Sequence, residues 1–449
     1  MFTVAYLANQ FPSSVEPYVI DEIKELRGRG VRVVAGSVRT PDTRADQTGI
    51  IERNGETICL QNRVRGLDLL HAAWLCLIRW RKISDLVSRV LLRGRESPLR
   101  RVKALLHTWL GAYYAVFLTG RGVEHIHVHH GYFGSWIGMV AARLLGAGFS
   151  MTLHGSDLLM HGAYLDIKLK DCGFCLTVSD YNRRWILEHY SGIEPGKILV
   201  SRLGVELDSV EVDEHVRRSE PGPALGDGNP ALVLLAVGRL HKVKDHAFLI
   251  RACVLLRDRC LDFRCLIAGG GPERRHLESL IRENGLERKI ALLGHVSRNE
   301  MNSWYERADL VVLTSKSEGI PLVLMEAMAR SKLVLAPAIT GIPELVVAEK
   351  TGFLYKPGSV DDFVARIFSI QSLMSPRKGS SRRREILSAG SRLDWVRHAA
   401  RTQVSHHFNR KKNLAQFGDL FLRLTAADAR SLPHEDLVLQ QIQLSIQRY

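Results

Sequence analysis

Two glutamates eight residues apart, Glu318 and Glu326, offer carboxylates that suit hydrogen bonds from neutral hydroxyls. They lie in the stretch Ser317–Arg330, SEGIPLVLMEAMAR. Leu310–Leu313 just before it reads as a buried strand, Gly319 as a tight turn, and Pro321 suits the first helical position. Glu318 then sits in a loop, and Glu326 lies about a turn and a half into the helix. A helix N-terminus exposes unpaired N–H groups and a partial positive charge, which makes it an anion site. In a parallel α/β sheet this loop is at the carboxyl end of a strand, where ligands bind. Taken alone, such a pair also fits a solvated loop residue and a charge on a helix surface.

Cations stand at a second strand end. Gly238-Arg239-Leu240 closes a strand, and Lys242 and Lys244 follow. Arg239 and Lys244 beside a helix N-terminus would neutralise a diphosphate and stabilise it as a leaving group. Gly269-Gly270-Gly271-Pro272 ends another strand, and Gly294-His295-Val296 a fourth, where backbone groups at Gly270 and Val296 are placed to meet a nucleotide. Glycine-rich turns are also common as plain tight connections, and strand-end cations as solvated charges.

The first half carries histidines. In Glu124–Gly131, EHIHVHHG, alternation sets His125, His127 and His129 on one strand face and Ile126 and Val128 on the other. Three such histidines invite a metal reading. No acidic or Cys partner stands at ligand spacing, so no metal site is expected. His129 or His130 ends the strand. The next strand ends in Thr152-Leu153-His154-Gly155-Ser156-Asp157, which places His154 to meet a substrate, or else to satisfy a local loop. Cys172 and Cys175 make one C-x-x-C without the second half of a zinc site, and read as buried thiols.

Alternating short apolar runs and helical patterns position these groups, the signature of a parallel sheet covered by helices. Strands are expected at Phe2–Leu7, Val31–Gly36, Val123–His129, Phe149–Leu153 and Phe174–Val178, and helices at Val15–Arg27, Trp136–Leu145 and Asp180–His189. A charged, Gly- and Pro-rich stretch at 211–230 looks like a linker. The series then restarts, with strands at Leu232–Val237, Phe263–Ala268, Ile290–Leu293, Leu310–Leu313 and Leu333–Ala336, and helices at His246–Arg257 and Glu273–Glu283. The expected organisation is a domain at 1–205, a linker at 206–230, a second domain at 231–375 and a helical tail at 376–449 that returns in part to the first domain.

The 449 residues suit two domains, and 46% hydrophobic residues suffice for two cores. A net charge of +15 predicts attraction to something anionic. Seven scattered cysteines are an odd count that argues against a disulfide framework. The opening MFTVAYLANQF reads as a strand rather than a secretory leader. The longest apolar candidate, Ala72–Ile78, is closed by Arg79 and is too short to span a membrane. Arg63–Lys103 holds eleven Lys or Arg against Asp68, Asp85 and Glu96, beside Trp74, Trp80 and several leucines. That mix suits an interfacial helix within a basic amphipathic segment at 63–120, and equally an ordinary amphipathic surface helix. The basic run Arg377–Arg384 suits a solvated loop.

Four motifs in order carry a family resemblance: Gly-Arg-Leu with Lys244 five residues after Arg239, the Gly-x-Gly-Pro turn, Glu318, and Glu326 eight residues later. They resemble the retaining glycosyltransferases of family 4. The histidine passages and the opening Asn9-Gln10-Phe11-Pro12-Ser13 resemble the bacterial exopolysaccharide branch, including colanic acid-type transferases. The resemblance covers most of residues 1–425 and is weakest at 40–120. It implies the GT-B fold, two Rossmann-like α/β domains with parallel sheets facing across a cleft. It implies that Arg239 and Lys244 bind the donor diphosphate, Glu326 the ribose hydroxyls and Glu318 the transferred sugar. Gly319 and Ile320 would offer backbone N–H groups, and His154 would touch the donor sugar or the acceptor near the reacting carbon. The loop Thr340-Gly341-Ile342-Pro343-Glu344 matches a structural loop of the family. Asp245 stands where the family usually has glycine, and is expected to cap the next helix rather than pair with Lys244. The Gly-Gly pair that many members carry near the start is absent.

The implied substrate is a UDP-, GDP- or ADP-sugar, with a lipid-linked oligosaccharide or glycan as acceptor and no separate cofactor. No Asp-x-Asp triplet occurs, which argues against a metal-bridged diphosphate. A cytoplasmic protein lying on the inner face of the cell membrane is expected. The rivals are a basic membrane or nucleic-acid binding protein without catalysis, and an epimerase or phosphorylase on the same fold. The charge alone fits a binding protein, but the Glu pair and the strand-end cations do not, so nucleic acid is not expected as a partner.

Overall fold

The structure is a computed structural model. It describes residues 1–13, 16–40, 57–61, 66–93, 96–160, 162–207, 232–374 and 383–429, with only the backbone for 383–391 and 429. The expected linker lies outside the described residues from 208 onward, as do residues 377–382 of the basic run and the tail beyond 429.

The chain divides into two units: Met1–Ser201 together with the segment from Leu414, and Arg202–Asn413. The first holds seven parallel strands in the order β3-β2-β1-β4-β5-β6-β7. These are β1 (Thr3–Gln10), β2 (Arg32–Arg39), β3 (Ile58–Cys59), β4 (His125–His129), β5 (Gly148–Leu153), β6 (Phe174–Thr177) and β7 (Ile198–Val200). The second holds six parallel strands in the order β10-β9-β8-β11-β12-β13. These are β8 (Val233–Val237), β9 (Arg264–Ala268), β10 (Ile290–Gly294), β11 (Leu310–Val312), β12 (Leu333–Pro337) and β13 (Phe353–Tyr355). Runs such as VLLAV become central strands because both sheet faces are covered, which leaves no polar side.

Pairing carries two strands further than their apolar runs: Gln10 pairs with Arg39, so β1 and β2 extend past Leu7 and Gly36. β3, β7 and β13 have only two or three residues, too few for a pattern to show. The basic stretch is not one helix but three, Gly66–Ile78, Trp80–Leu91 and Pro98–Leu118. The segment at 63–120 is also not amphipathic surface throughout. Ala112–Ala115 are buried in the first core, because this end of the long helix packs on the helix Phe133–Leu145.

The helix Pro17–Gly28 covers one face of the first sheet with Val19, Glu22, Ile23 and Leu26, an i, i+3, i+4, i+7 stripe. The helix Arg410–Ala429 adds Phe417 and Phe421 to the same cluster. The second unit keeps Arg383–His407, whose Leu393, Val396, Ala400 and Val404 enter its cores.

Candidate active site

In the second unit the carboxyl ends of β8, β9, β10 and β11 lie on one edge, because every pair is parallel. The loops after them interlock through the backbone. Gly238 N–H donates to Ala268 O, Leu240 N–H to Gly270 O, and Gly269 N–H to Gly294 O, at 2.7–2.9 Å. Gly269 and Gly271 take φ of +148° and +154°, and a Cβ on either would sit 2.0 Å from Gly238 O or 2.4 Å from Leu240 O. Gly270 between them faces open space.

Lys244 and Glu318 meet here. Lys244 Nζ donates to Glu318 Oε1 at 2.5 Å, with side chains only 20% and 12% exposed. Their loops are pinned together as well: Thr314 Oγ1 donates to Lys244 O at 2.9 Å, and Lys316 N–H to Val243 O at 2.8 Å. Thr340 Oγ1 donates to Glu318 O at 2.6 Å, so the 340–344 loop braces the glutamate. Asp245 leaves Lys244 alone. It adopts φ +48°, caps the helix His246–Asp258 by accepting from Phe248 N–H, and pairs with Lys316 at 3.0 Å.

Pro321 is the N-cap of the helix Leu322–Ala329 rather than its first residue. Glu326 is half-buried on that helix, and its Oε2 accepts from the Tyr305 hydroxyl at 2.8 Å. Arg239 is exposed and has no ion-pair partner among the described residues. Val296 and Gly319 are half-buried, and Ile320 is buried. Ser315 Oγ and Ser317 Oγ are buried with no hydrogen-bond partner among the described residues, an expensive state for a hydroxyl. A cavity of about 260 Å³ opens beside this edge, lined by His241, Lys242, Asp245, Arg251 and Lys316 among others. None of the predicted donor residues lines it.

In the first unit, register builds the histidine cluster. Tyr6 pairs with His127, His127 with Ser150, and His129 with Thr152, so these side chains share one face. The Ser150 hydroxyl meets His125 Nε2 at 2.6 Å and His127 Nδ1 at 2.7 Å, and His127 Nε2 meets Thr152 Oγ1 at 3.0 Å. Burial pushes His127 well down, so it stays neutral. Above this row, His129 Nδ1 lies 2.9 Å from His154 Nε2, and His129 Nε2 lies 3.0 Å from Glu22 Oε2. Tyr6 donates its hydroxyl to the same Glu22 oxygen. The helix Pro17–Gly28 thus supplies a buried carboxylate 107 residues before His129. This corrects the expectation that the histidines lack an acidic partner. Glu22, His127 and His129 bring ligand-type atoms within 4.8 Å of one another, though the ring nitrogens all have protein hydrogen-bond partners.

Asp157 fixes the loops around His154. Its carboxylate accepts from Gly131 N–H at 2.9 Å, His154 N–H at 3.1 Å and Gly155 N–H at 2.7 Å. His130, at φ +73°, sits 2.9 Å from Glu16 and 3.5 Å from Asp157. Burial alone would lower His130, but Asp157 and Glu16 outweigh it and push it up to about 10. Burial and the charge on His130 hold His154 well below the usual histidine range. A neutral ring and an imidazolium therefore lie with centroids 4.6 Å apart. Lys168, fully buried, donates to Gly131 O, Tyr132 O and Ala163 O at 2.8–3.0 Å and locks the same loop.

Residues 224–383 match the family described as glycosyl transferases group 1. These residues form a glycosyltransferase group 1 domain.

A putative colanic acid biosynthesis glycosyltransferase of Escherichia coli is 31% identical over 221 residues, 48% of each chain. The chain thus spans about half the length of the curated relatives it matches. Sucrose-phosphate synthase from Thermosynechococcus elongatus superimposes with TM-score 0.69 at 17% identity, over 95% of this chain and all of that one. Anabaena HepE in complex with UDP gives TM-score 0.64 at 17% identity, over 94% of this chain and all of that one. The two parallel α/β sheets are those of the GT-B fold. The group 1 domain contains Arg239, Lys244, Gly270, Val296, Glu318, Gly319, Ile320 and Glu326, whereas His154 belongs to the other unit. The sequence reading missed Glu22 as the partner of His129, while Thr340, in the loop read as structural, braces Glu318. Glu22 does leave one signal, a charge at a core position of an apolar stripe.

Proposed function

We propose that the protein is a retaining, metal-independent glycosyltransferase of exopolysaccharide or surface-glycan synthesis. It takes a sugar from a nucleotide-sugar donor to a lipid-linked or glycan acceptor. The observation that carries this is the Lys244–Glu318 pair at the strand edge of the group 1 domain, beside the N-terminus of Leu322–Ala329. In this reading the donor diphosphate takes Lys244 and Arg239, and Glu318 turns to a sugar hydroxyl. Glu326 accepts from the ribose, while Gly270 and Val296 border the nucleotide and Gly319 and Ile320 offer N–H groups. The unpaired Ser315 and Ser317 hydroxyls support a polar ligand there. The UDP bound by HepE makes a UDP-sugar the first donor to try.

The anomeric C–O bond breaks toward the diphosphate as the acceptor oxygen bonds to the same carbon from the same face. The acceptor's proton passes to the departing phosphate oxygen. Charge grows on that phosphate in the transition state, where fixed cations and helix N–H groups act differentially. His154, neutral, contacts the sugar or the acceptor.

Membrane attachment is the second part of the reading. Leu67, Leu70, Trp74, Leu77 and Ile78 are exposed along one side of Gly66–Ile78, as are Leu99, Val102 and Leu106 on the helix packed against it. Arg81, Lys82, Arg100 and Lys103 are exposed nearby in sequence. Apolar stripes among cations suit an anionic bilayer surface on the cytoplasmic side. Among the described residues no helix is long and apolar enough to cross a membrane.

The deciding experiment is a donor-consumption assay with UDP-, GDP- and ADP-sugars, with and without a lipid-linked acceptor. Transfer that needs the acceptor supports the proposal. Donor turnover without acceptor points to an epimerase, a phosphate requirement to a phosphorylase, and no turnover to a binding protein.

A further inference from the structure

A carboxylate in the apolar stripe of a helix needs partners that repay its burial. Glu22 is 5% exposed, flanked on its stripe by Val19, Ile23 and Leu26. Its Oε2 meets both the Tyr6 hydroxyl and His129 Nε2, and His129 Nδ1 in turn meets His154 Nε2. We propose that Glu22 and His129 are positioning residues that fix the tautomer of His154, with the proton on Nε2 and the lone pair on Nδ1.

The proton order follows from what each atom can do. A carboxylate only accepts, so His129 Nε2 at 3.0 Å carries a hydrogen. The alternative, with Tyr6 donating to a bare His129 Nε2, would set two lone pairs against each other across the Glu22 contact. Burial and Glu22 together push the Tyr6 hydroxyl well up, so it remains a donor to Glu22. A His129 that carries its hydrogen on Nε2 alone has a bare Nδ1, which accepts from His154 Nε2 at 2.9 Å. His154 Nδ1 is then the one ring nitrogen left to accept from a substrate hydroxyl. His127 takes no part, since Ser150 and Thr152 occupy both of its nitrogens. Asp157 holds the His154 backbone N–H, and Tyr18 stacks on the ring with centroids 4.6 Å apart, so the ring can respond to a proton change without relocating.

This rests on the reading of His154 as a substrate contact, so the test separates the two. Nitrogen-15 histidine spectra of the full chain report each tautomer independently of activity, with His154 assigned by its loss in His154→Ala. The wild type should show His154 protonated on Nε2. Glu22→Leu fits the apolar stripe and leaves Tyr6 free to donate to His129 Nε2. His129 must then carry its hydrogen on Nδ1 and donate to His154, which moves its own proton to Nδ1. Turnover should fall by about 10- to 100-fold with the fold intact. Adding Glu22→Leu to His154→Ala should cost no further activity. A wild-type His154 protonated on Nδ1, an unchanged tautomer in Glu22→Leu, or losses that multiply in the double variant would overturn the relay. Normal turnover of His154→Ala would instead overturn the substrate role of His154, and the purpose of the relay with it.

Discussion

Lys244 Nζ and Glu318 Oε1 lie 2.5 Å apart although 74 residues separate them, and each loop is tied down by a hydroxyl from elsewhere in its unit. In the proposed reaction the donor diphosphate would displace Glu318 from Lys244 and free the carboxylate for a sugar hydroxyl. Replacing either with Ala should lower kcat/KM by about 10²-fold or more. Both side chains are mostly buried, so the partner left behind is unpaired and the melting temperature should fall as well, but by less than would account for the activity lost. Steady-state kinetics beside thermal denaturation check this, and near-normal activity in both variants would remove the mechanism.

The three glycines after β9 should behave unequally. Gly269→Ala and Gly271→Ala force a Cβ into backbone oxygens at strained φ, and should destabilise by roughly 1–3 kcal/mol. Gly270→Ala meets nothing, so its stability should stay within about 0.5 kcal/mol of wild type. If the donor passes over Gly270, calorimetry should still show weakened nucleoside diphosphate binding. Equal destabilisation of all three would contradict the loop geometry.

His130 gives the first unit an alkaline limit. Its folded value of about 10 lies above the unfolded 6.5, so its ion pairs contribute fully below about pH 6.5 and fade as pH climbs toward 10. Asp157, held below the usual carboxylate range by His130, loses its contribution only as pH falls well into the acid range. His130→Asn tolerates the positive φ. Its deficit in urea denaturation should be largest at pH 6 and shrink by pH 10. A deficit independent of pH would show that the ion pairs are not what the substitution removes.

Leu70 and Leu77 are 67% and 73% exposed on the helix Gly66–Ile78. Changing both to Ser should leave stability within about 0.5 kcal/mol, as for other surface sites, yet reduce sedimentation with phosphatidylglycerol vesicles several-fold. Binding that ignores lipid charge, or does not change in the variant, would sink the membrane reading.

Legibility followed the physics of each signal. The central strands stood out because burial on both faces demands unbroken apolar runs, as in β8 and β12. Asp245 was readable as a cap because capping is local, three residues from donor to acceptor. The Lys244–Glu318 pair was not, since nothing in a linear spacing tells a cation which carboxylate it will meet. Tyr113 and Tyr114 fell inside a stretch read as surface, because neighbouring arginines dominated its composition. Glu22 escaped because its partner His129 lies 107 residues further along the chain.

The helix Arg410–Ala429 completes the face on which β1 lies, so the second unit is threaded between two parts of the first. On the ribosome, the opening strands emerge long before Phe417 and Phe421 exist to cover them. Vectorial synthesis therefore obliges the middle of the chain to mature first, with the earliest strands incompletely shielded meanwhile. Chaperone dependence should concentrate there, and a stop codon just before Leu414 should damage the beginning of the molecule more than its middle.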